Sequence, residues 1–201
     1  MFLSIVSSLF LSGVSAELVL LLAVWRHGDR APERLPYPND KNGEEAWPRG
    51  WEQLTNLGIS QGFELGTFLR KRYAGQLFAR DFNRKEVFVQ SSDSERAMET
   101  GQAVMAGLFP AEGNRVWNAS TEWQPTPMHT NGKGREDPLL KPTGVFCPNY
   151  EAIRKRDFHR LEMRMDKKYG GLFDWLSAET GMNVSFANVK KLYDVDKEVE
   201  E

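Results

Sequence analysis

Runs of apolar and polar residues divide the chain into strand-like and helix-like segments. Leu18–Trp25 is an unbroken apolar run. A run of about eight apolar residues is typical of one strand buried on both faces, as at the centre of an α/β sheet. Two weaker patterns predict a strand over Glu86–Gln90 and an edge strand over Trp123–Thr130, where two prolines remove backbone donors. The chain is therefore expected to fold around a sheet.

Helical periodicity fills the segments between and after these strands. A helix is predicted over Leu54–Tyr73, with Thr55 as its cap. A second is predicted over Asp93–Leu108, where Ser92 and Glu95 have the spacing of a capping box. The final quarter of the chain is charged and amphipathic, and it predicts helices over 150–169, 172–180 and 185–193.

The 201 residues divide into a leader and two predicted regions. Residues 1–16 are predicted to be a secretory signal peptide, with an apolar centre and small residues before the expected cleavage site. Residues 17–148 would form an α/β core, and residues 149–201 a helical region. The net charge of -2 gives no sign of a nucleic-acid or membrane-surface partner. No later segment is apolar enough to span a bilayer, and nothing in the sequence indicates an oligomeric state.

Three residues bear on the expected compartment. Asn118 and Asn183 each begin an Asn-x-Ser sequon, so both are expected to be glycosylated. Cys147 is the only cysteine. In an exported protein, a lone cysteine is either a small buried residue or a thiol whose disulfide partner lies outside this chain, and we favour the second. We expect a soluble secreted protein, with the lysosomal lumen as the alternative.

A compact basic motif follows the first predicted strand. It reads Arg26-His27-Gly28-Asp29-Arg30. Open α/β sheets place ligands just beyond the carboxyl ends of their strands. The guanidinium groups offer forked donors that match phosphate oxygens, and they disfavour a positive charge on His27. Because a neutral imidazole beside a bound phosphate is a nucleophile in position, the motif predicts phosphoryl chemistry.

A further arginine follows the second predicted strand. Arg96 lies in the first turn of the helix predicted over Asp93–Leu108. A helix start with an arginine, placed after a strand end, is an anion-binding arrangement. The alternative is an ordinary surface arginine.

At these residues the chain resembles the histidine acid phosphatases, whose signature R-H-G-x-R-x-P is complete from Arg26 to Pro32. The resemblance continues through the stretches at 47–50, 91–96 and 123–130, and it thins after Pro148. It implies a phosphoglycerate mutase-like α/β fold, with a mixed sheet flanked by helices and the start of a smaller α-helical lobe. It also implies that phosphate monoesters are hydrolysed at acidic pH through a phosphohistidine intermediate.

The resemblance gives each matching residue a role. His27 would be the nucleophile. Arg26, Arg30 and Arg96 would hold the phosphoryl oxygens, with Arg96 as the third phosphate-binding arginine. No metal or other cofactor is implied, since the arginines balance the phosphoryl charge.

The family's proton donor belongs to a His-Asp pair near the C-terminal end of a much longer chain. This sequence has no His-Asp dipeptide, so no proton donor is expected within it. The remaining strands of the family's sheet and a partner for Cys147 would also lie in that C-terminal part. We therefore expect a truncated product, an incomplete gene model or a short isoform.

Three functions are compatible with this pattern. The first is an acid phosphatase, inactive or impaired as this chain. The second is a non-catalytic secreted protein that binds phosphorylated ligands through the arginine pocket. A phosphoglycerate mutase-like transferase is the third, although the export signal and the loop after Pro32 argue against it. That loop, Pro32–Pro48, is expected to wall the pocket, and His129 is expected to be structural or part of the pocket wall.

Overall fold

The computed structural model describes residues 17–192, and helices provide most of its regular structure. The α-helices are α1 (Asn56–Tyr73), α2 (Glu95–Leu108) and α3 (Pro148–Thr180). Short 3-10 helices occupy Glu44–Ala46, Gly113–Arg115 and Pro142–Gly144. The predicted signal peptide, residues 1–16, lies outside the described residues. None of the described helices combines the length and apolar character needed to cross a bilayer.

Helices α1 and α2 begin within two residues of their predicted starts because their signals are local. Thr55 caps α1 as predicted, since its Oγ1 accepts a hydrogen bond from the N–H of Gly58 at 3.1 Å. The capping box predicted for α2 is wrong. Ser94 is the N-cap and makes no side-chain capping bond. The Glu95 carboxylate accepts a hydrogen bond from Gln53 Nε2 at 2.9 Å, and not from the backbone N–H of Ser92 as a capping box requires.

Helices α1 and α2 cross closely and carry the main core. A Cβ at Gly66 would overlap the carbonyl oxygen of Val104, so this backbone contact requires glycine. Burying a large aliphatic or aromatic side chain contributes roughly 1.5–3 kcal/mol. The buried apolar cluster at this crossing comprises Leu69, Val89, Val104, Met105, Leu108 and Phe109. It fixes α2 against α1, and therefore places the first turn of α2.

Within residues 17–192, strand pairing is limited to isolated bridges. These join Arg30 to Leu54, Ala74 to Phe78, and Gln90 to His129. The third bridge connects the second and third predicted strands, because the N–H of Ser91 donates to His129 O at 2.8 Å and the N–H of His129 donates to Val89 O at 3.0 Å. Pro125 and Pro127 have no N–H to extend this pairing.

The first predicted strand, Leu18–Trp25, is not buried. Leu21 and Trp25 pack against the main core, but the side chains of Leu22 and Val24 are 85% and 82% exposed. The expected burial on both faces is therefore wrong for the described chain. Burial of a central strand depends on neighbouring strands that are remote in sequence, and no described segment pairs with this one.

Helix α3 spans two of the predicted helices. A single non-helical residue, Tyr169 (φ −117°, ψ 17°), marks a kink at the predicted end of the first of these helices. The helix ends before Gly181, which has the left-handed backbone (φ 72°) typical of a C-terminal cap. The helix predicted over 185–193 is a turn at 186–189 and becomes helical only at residue 190. The division at residue 148 stays a prediction.

The loop Pro32–Pro48 packs on the end of α3 and lines no part of the cavity described below. Asn39 donates from its backbone N–H to Thr180 O at 3.2 Å and from Nδ2 to Glu179 O at 2.8 Å. Tyr37 packs against the small core of Phe173, Val184 and Leu192. The expectation that this loop walls the site is therefore wrong. Its polar groups instead satisfy the carbonyls left free at the helix end.

Candidate active site

The basic motif turns against the first turn of α1. A Cβ at Gly28 would overlap the carbonyl of Gly58, so the two backbones meet there directly. Asp29 fixes the turn through three contacts. Its N–H donates to Gln61 Oε1 at 2.9 Å, its carbonyl accepts from the N–H of Thr55 at 3.1 Å, and its carboxylate accepts from the Thr55 hydroxyl. The start of α1 therefore sets the position of the histidine.

His27 is half-buried, and one of its ring nitrogens is committed to the backbone. Its Nδ1 lies 2.7 Å from the carbonyl oxygen of Gly28. Since a carbonyl only accepts, Nδ1 carries the proton and Nε2 keeps its lone pair. Burial lowers the pKa of His27, the hydrogen bond to Gly28 opposes this, and the charges of Arg26, Arg96 and Arg30 lower it further. Burial and the nearby arginines therefore favour the neutral imidazole, and its role as a nucleophile stays a prediction.

A cavity of about 300 Å³ joins the motif to the start of α2. Arg26, His27 and Arg96 line it together, so the structure brings three of the predicted site residues to one place. Residues 91, 92 and 94, which lead into α2, line the same cavity. A helix N-terminus carries partial positive charge and free N–H groups, both of which favour an anion. No carboxylate in the described part of the chain lines this cavity.

Arg96 has donors left over for a ligand. Its Nη1 donates to the carboxylate of Glu52 at 3.1 Å. Its Nε is buried and has no hydrogen-bond partner among residues 17–192. Because a guanidinium has five N–H groups, one ion pair leaves most of them available for phosphate oxygens. Glu52 itself has a left-handed backbone (φ 65°), which is uncommon for a residue with a side chain.

Arg30 lies apart from the cavity wall. Its Nη1 donates to Ala31 O at 2.7 Å, and its Nη2 lies 3.7 Å from the Glu33 carboxylate. Its charge still lowers the pKa of His27. The charge of Arg30 therefore favours the neutral imidazole of His27, and the role of Arg30 as a phosphate ligand stays a prediction.

Two residues of this site were not predicted from the sequence. The hydroxyl of Thr100, which is buried, accepts a hydrogen bond from the N–H of Gly28 at 3.1 Å and donates to the Arg96 carbonyl at 2.7 Å. The spacing of Arg96 and Thr100, four residues apart on one helix, was an available signal. Lys141 lines the cavity from a remote loop, and no local pattern indicated it.

The remaining predicted residues lie away from the cavity. Cys147 is exposed, and its thiol is free. Asn118 and Asn183 are exposed, while their glycosylation stays a prediction. His129 stacks on Phe88 with ring centroids 4.9 Å apart, which favours the structural alternative. No group of three or more His, Cys, Asp or Glu residues suited to a metal occurs in the described range.

Comparison with known proteins identifies the family. The profile of the histidine phosphatase superfamily (branch 2) matches residues 17–196, so the chain belongs to this family. It is 40% identical over 183 residues to the human lysosomal acid phosphatase, covering 90% of this chain and 42% of that protein. The Xenopus laevis lysosomal acid phosphatase is 37% identical over 90% of this chain and 41% of its own length.

The mouse prostatic acid phosphatase is 34% identical, over 90% of this chain and 48% of that protein. The chain thus spans less than half the length of these relatives.

Solved structures show the same fold. The apo Hafnia alvei phytase superposes with a TM-score of 0.53 and 19% identity, over 82% of this chain and 40% of that one. The Citrobacter braakii phytase gives a TM-score of 0.50 and 22% identity, over 79% of this chain and 39% of that one.

Proposed function

We propose that the protein is an acid phosphatase that hydrolyses phosphate monoesters through a phosphohistidine at His27. One observation carries the proposal. His27, with its Nε2 free, shares a cavity with Arg26 and with an Arg96 whose buried Nε has no partner in the described chain. This combines a nucleophile with donors for the oxygens on which charge spreads during phosphoryl transfer.

The first step forms a P–N bond and breaks the ester P–O bond. The lone pair on His27 Nε2 attacks phosphorus, and the ester oxygen leaves with the bonding electrons as an alkoxide. Arg26 and Arg96 hold the phosphoryl oxygens in the cavity. Since the pKa of His27 is lowered, the imidazole stays neutral further into the acidic range than an ordinary histidine.

The second step hydrolyses the phosphohistidine. A water oxygen attacks phosphorus, the P–N bond breaks, and the electron pair returns to Nε2 of His27 while phosphate leaves. Each step benefits from a general acid or base, which typically contributes about 10²–10⁴ in rate. Because no described carboxylate lines the cavity, we propose that this chain turns over only esters with good leaving groups.

The same absence supports a second candidate function. A cavity with two arginines and no described acid could bind phosphorylated ligands without releasing them as products. In that case His27 would be a hydrogen-bonding group of a binding site. Turnover distinguishes the two functions, because only the phosphatase releases phosphate.

We also propose that the protein is exported and glycosylated at Asn118 and Asn183. The exposure of both asparagines supports this. Two of the relatives reported above are named lysosomal acid phosphatases, which supports the lysosomal lumen as the alternative to secretion. The free thiol of Cys147 is exposed, and this is compatible with a disulfide partner outside the chain.

For the fold, we propose that a mixed sheet is completed around Leu18–Trp25 by family strands not present in the described chain. An apolar groove of about 370 Å³ supports this, because its walls come from the two predicted strands at 19–25 and 86–90. Its floor includes Leu69, Met105 and Leu108 from the main core. Such a groove has the apolar lining that a central strand would cover.

The test is steady-state release of phosphate from p-nitrophenyl phosphate and from glycerol 2-phosphate. We expect His27→Ala to lower hydrolysis of the aryl ester to background. His159→Ala is the matched control, since His159 is exposed beside Glu162, and it should leave the rate unchanged. We expect the alkyl ester to react about 10²–10⁴ times more slowly, because its leaving group needs a proton. Equal rates for wild type and His27→Ala would refute the proposed mechanism.

A further inference from the structure

Besides Arg96, a second cation from outside the basic motif, Lys141, lines the cavity of His27. Leu139, Leu140 and Lys141 line this cavity together with residues of the motif and of α2. The Lys141 side chain is exposed, and its ammonium donates to the Asp93 carbonyl at 3.3 Å. Nothing in the proposed transfer steps uses this residue.

The turn that carries Lys141 is held by a buried carboxylate. Asp137 is 5% exposed. Its Oδ1 accepts a hydrogen bond from the N–H of Leu140 at 2.9 Å, and its carbonyl accepts from the N–H of Lys141 at 2.7 Å. Both bonds restrain the backbone at the residue whose side chain reaches the cavity. These two hydrogen bonds therefore restrain the backbone position of Lys141.

The cavity lining holds a third cation besides its two arginines. Arg26 and Arg96 provide forked donors for phosphoryl oxygens, and one Arg96 donor is engaged by the Glu52 carboxylate. Lys141 adds a compact point charge, while the described residues of the lining contribute no carboxylate to neutralise it. Leu139 and Leu140 add apolar contact in the same lining. This set of groups suits a ligand that has an apolar body and two anionic groups.

We propose that Lys141 makes the site selective for phosphate monoesters that carry a second anionic group, such as a carboxylate or another phosphate. The proposal rests on the proposed function, because it assumes that the cavity receives a phosphoryl group. The ammonium would exchange its bond to the Asp93 carbonyl for the second anion. A bond to a charged partner is the stronger of the two, which favours the exchange.

The test compares binding of benzylphosphonate with binding of 3-carboxy- and 4-carboxybenzylphosphonate by calorimetry. The C–P bond of these probes is not hydrolysed, so turnover does not interfere. In the wild-type chain, at least one carboxylated probe should bind roughly tenfold more tightly than benzylphosphonate. Lys141→Gln should remove most of that advantage, and Lys141→Arg should retain it. The control is Lys133→Gln, whose lysine lines a neighbouring cavity; it should preserve the advantage.

The outcomes separate this inference from the proposed function. If benzylphosphonate binds but the carboxylate adds nothing, or if Lys141→Gln keeps the advantage, the inference is wrong and the phosphoryl site stands. If Lys141→Gln weakens all probes equally, Lys141 contacts the phosphoryl group itself, which also overturns the substrate class. If a folded wild-type chain binds no probe, the proposed function fails and the inference fails with it.

Discussion

Thr100 offers the most direct test of how the site is assembled. Its hydroxyl accepts from the N–H of Gly28 at 3.1 Å and donates to the carbonyl of Arg96 at 2.7 Å. Thr100 is only 2% exposed, so its hydroxyl has little access to water. Thr100→Val keeps the shape of the side chain and removes both hydrogen bonds. The substitution therefore measures the two hydrogen bonds of Thr100 separately from its packing.

The expected loss can be worked out from these contacts. The carbonyl of Arg96 keeps its helical partner four residues on, so it is not left bare. The N–H of Gly28, which is part-buried, loses its hydrogen-bond partner, and this costs about 1–3 kcal/mol. We therefore expect Thr100→Val to lose about 2 kcal/mol of unfolding free energy. With an m-value of about 2 kcal/mol/M, the urea midpoint should fall by about 1 M.

The assay is urea unfolding followed by tryptophan fluorescence, for which the chain has 6 tryptophans. Thr100→Ser keeps the hydroxyl and should recover most of the hydrogen-bond loss. Thr67→Val is the matched control, because Thr67 is exposed on α1 and its hydroxyl also donates to a carbonyl four residues back, at 3.1 Å. A midpoint for Thr100→Val equal to that of Thr67→Val would refute the stabilising role of the hydrogen bonds made by the Thr100 hydroxyl.

Three further predictions follow from the described contacts. Gly66→Ala should lower the unfolding free energy by about 1–3 kcal/mol, because the added Cβ overlaps the Val104 backbone. Gly171→Ala has open space around the added Cβ and should raise the unfolding free energy by up to about 1 kcal/mol. Equal urea midpoints for the two variants would contradict this prediction. Since its folded pKa lies below 6.5, His27 contributes stability that is complete above pH 6.5 and lost as pH falls through the folded pKa. The unfolding free energy of wild type relative to His27→Gln should therefore fall as the pH is lowered below about 6.5, and a pH-independent difference would refute this. Leu22→Thr should change the unfolding free energy by less than about 0.5 kcal/mol, because Leu22 is 85% exposed; a large loss would mean that the segment is covered.

The parts of the fold that the sequence predicted are those set by local contacts. Helices α1 and α2 follow from apolar spacing and, for α1, from the cap at Thr55. The burial of Leu18–Trp25 was predicted wrongly, because an apolar run shows that a segment can be buried and not which neighbour covers it. The Ser92 capping box failed for a related reason, since Glu95 is engaged by Gln53 from a remote part of the chain.

The candidate site shows the same limit. His27 and Arg26 lie in one short motif, while the place of Arg96 at a helix start left two readings open and the family resemblance decided between them. The contact between Glu52 and Arg96 joins residues 44 positions apart, and no local pattern encodes it. Lys141 lines the cavity from a turn that Asp137 holds through two hydrogen bonds, and no local pattern indicated this. Chemistry carried by adjacent residues could therefore be predicted, while the groups that orient it required the tertiary structure.

The most direct test of the central claim is single-turnover labelling with p-nitrophenyl phosphate carrying a radioactive phosphoryl group. The mixture is quenched, and acid-labile label is measured on the protein and mapped by peptide analysis. We predict that wild type carries label on His27 and that His27→Ala carries none, with circular dichroism showing both chains folded. A folded wild-type chain that binds phosphate but never becomes labelled, or label that persists in His27→Ala, would contradict the phosphohistidine mechanism.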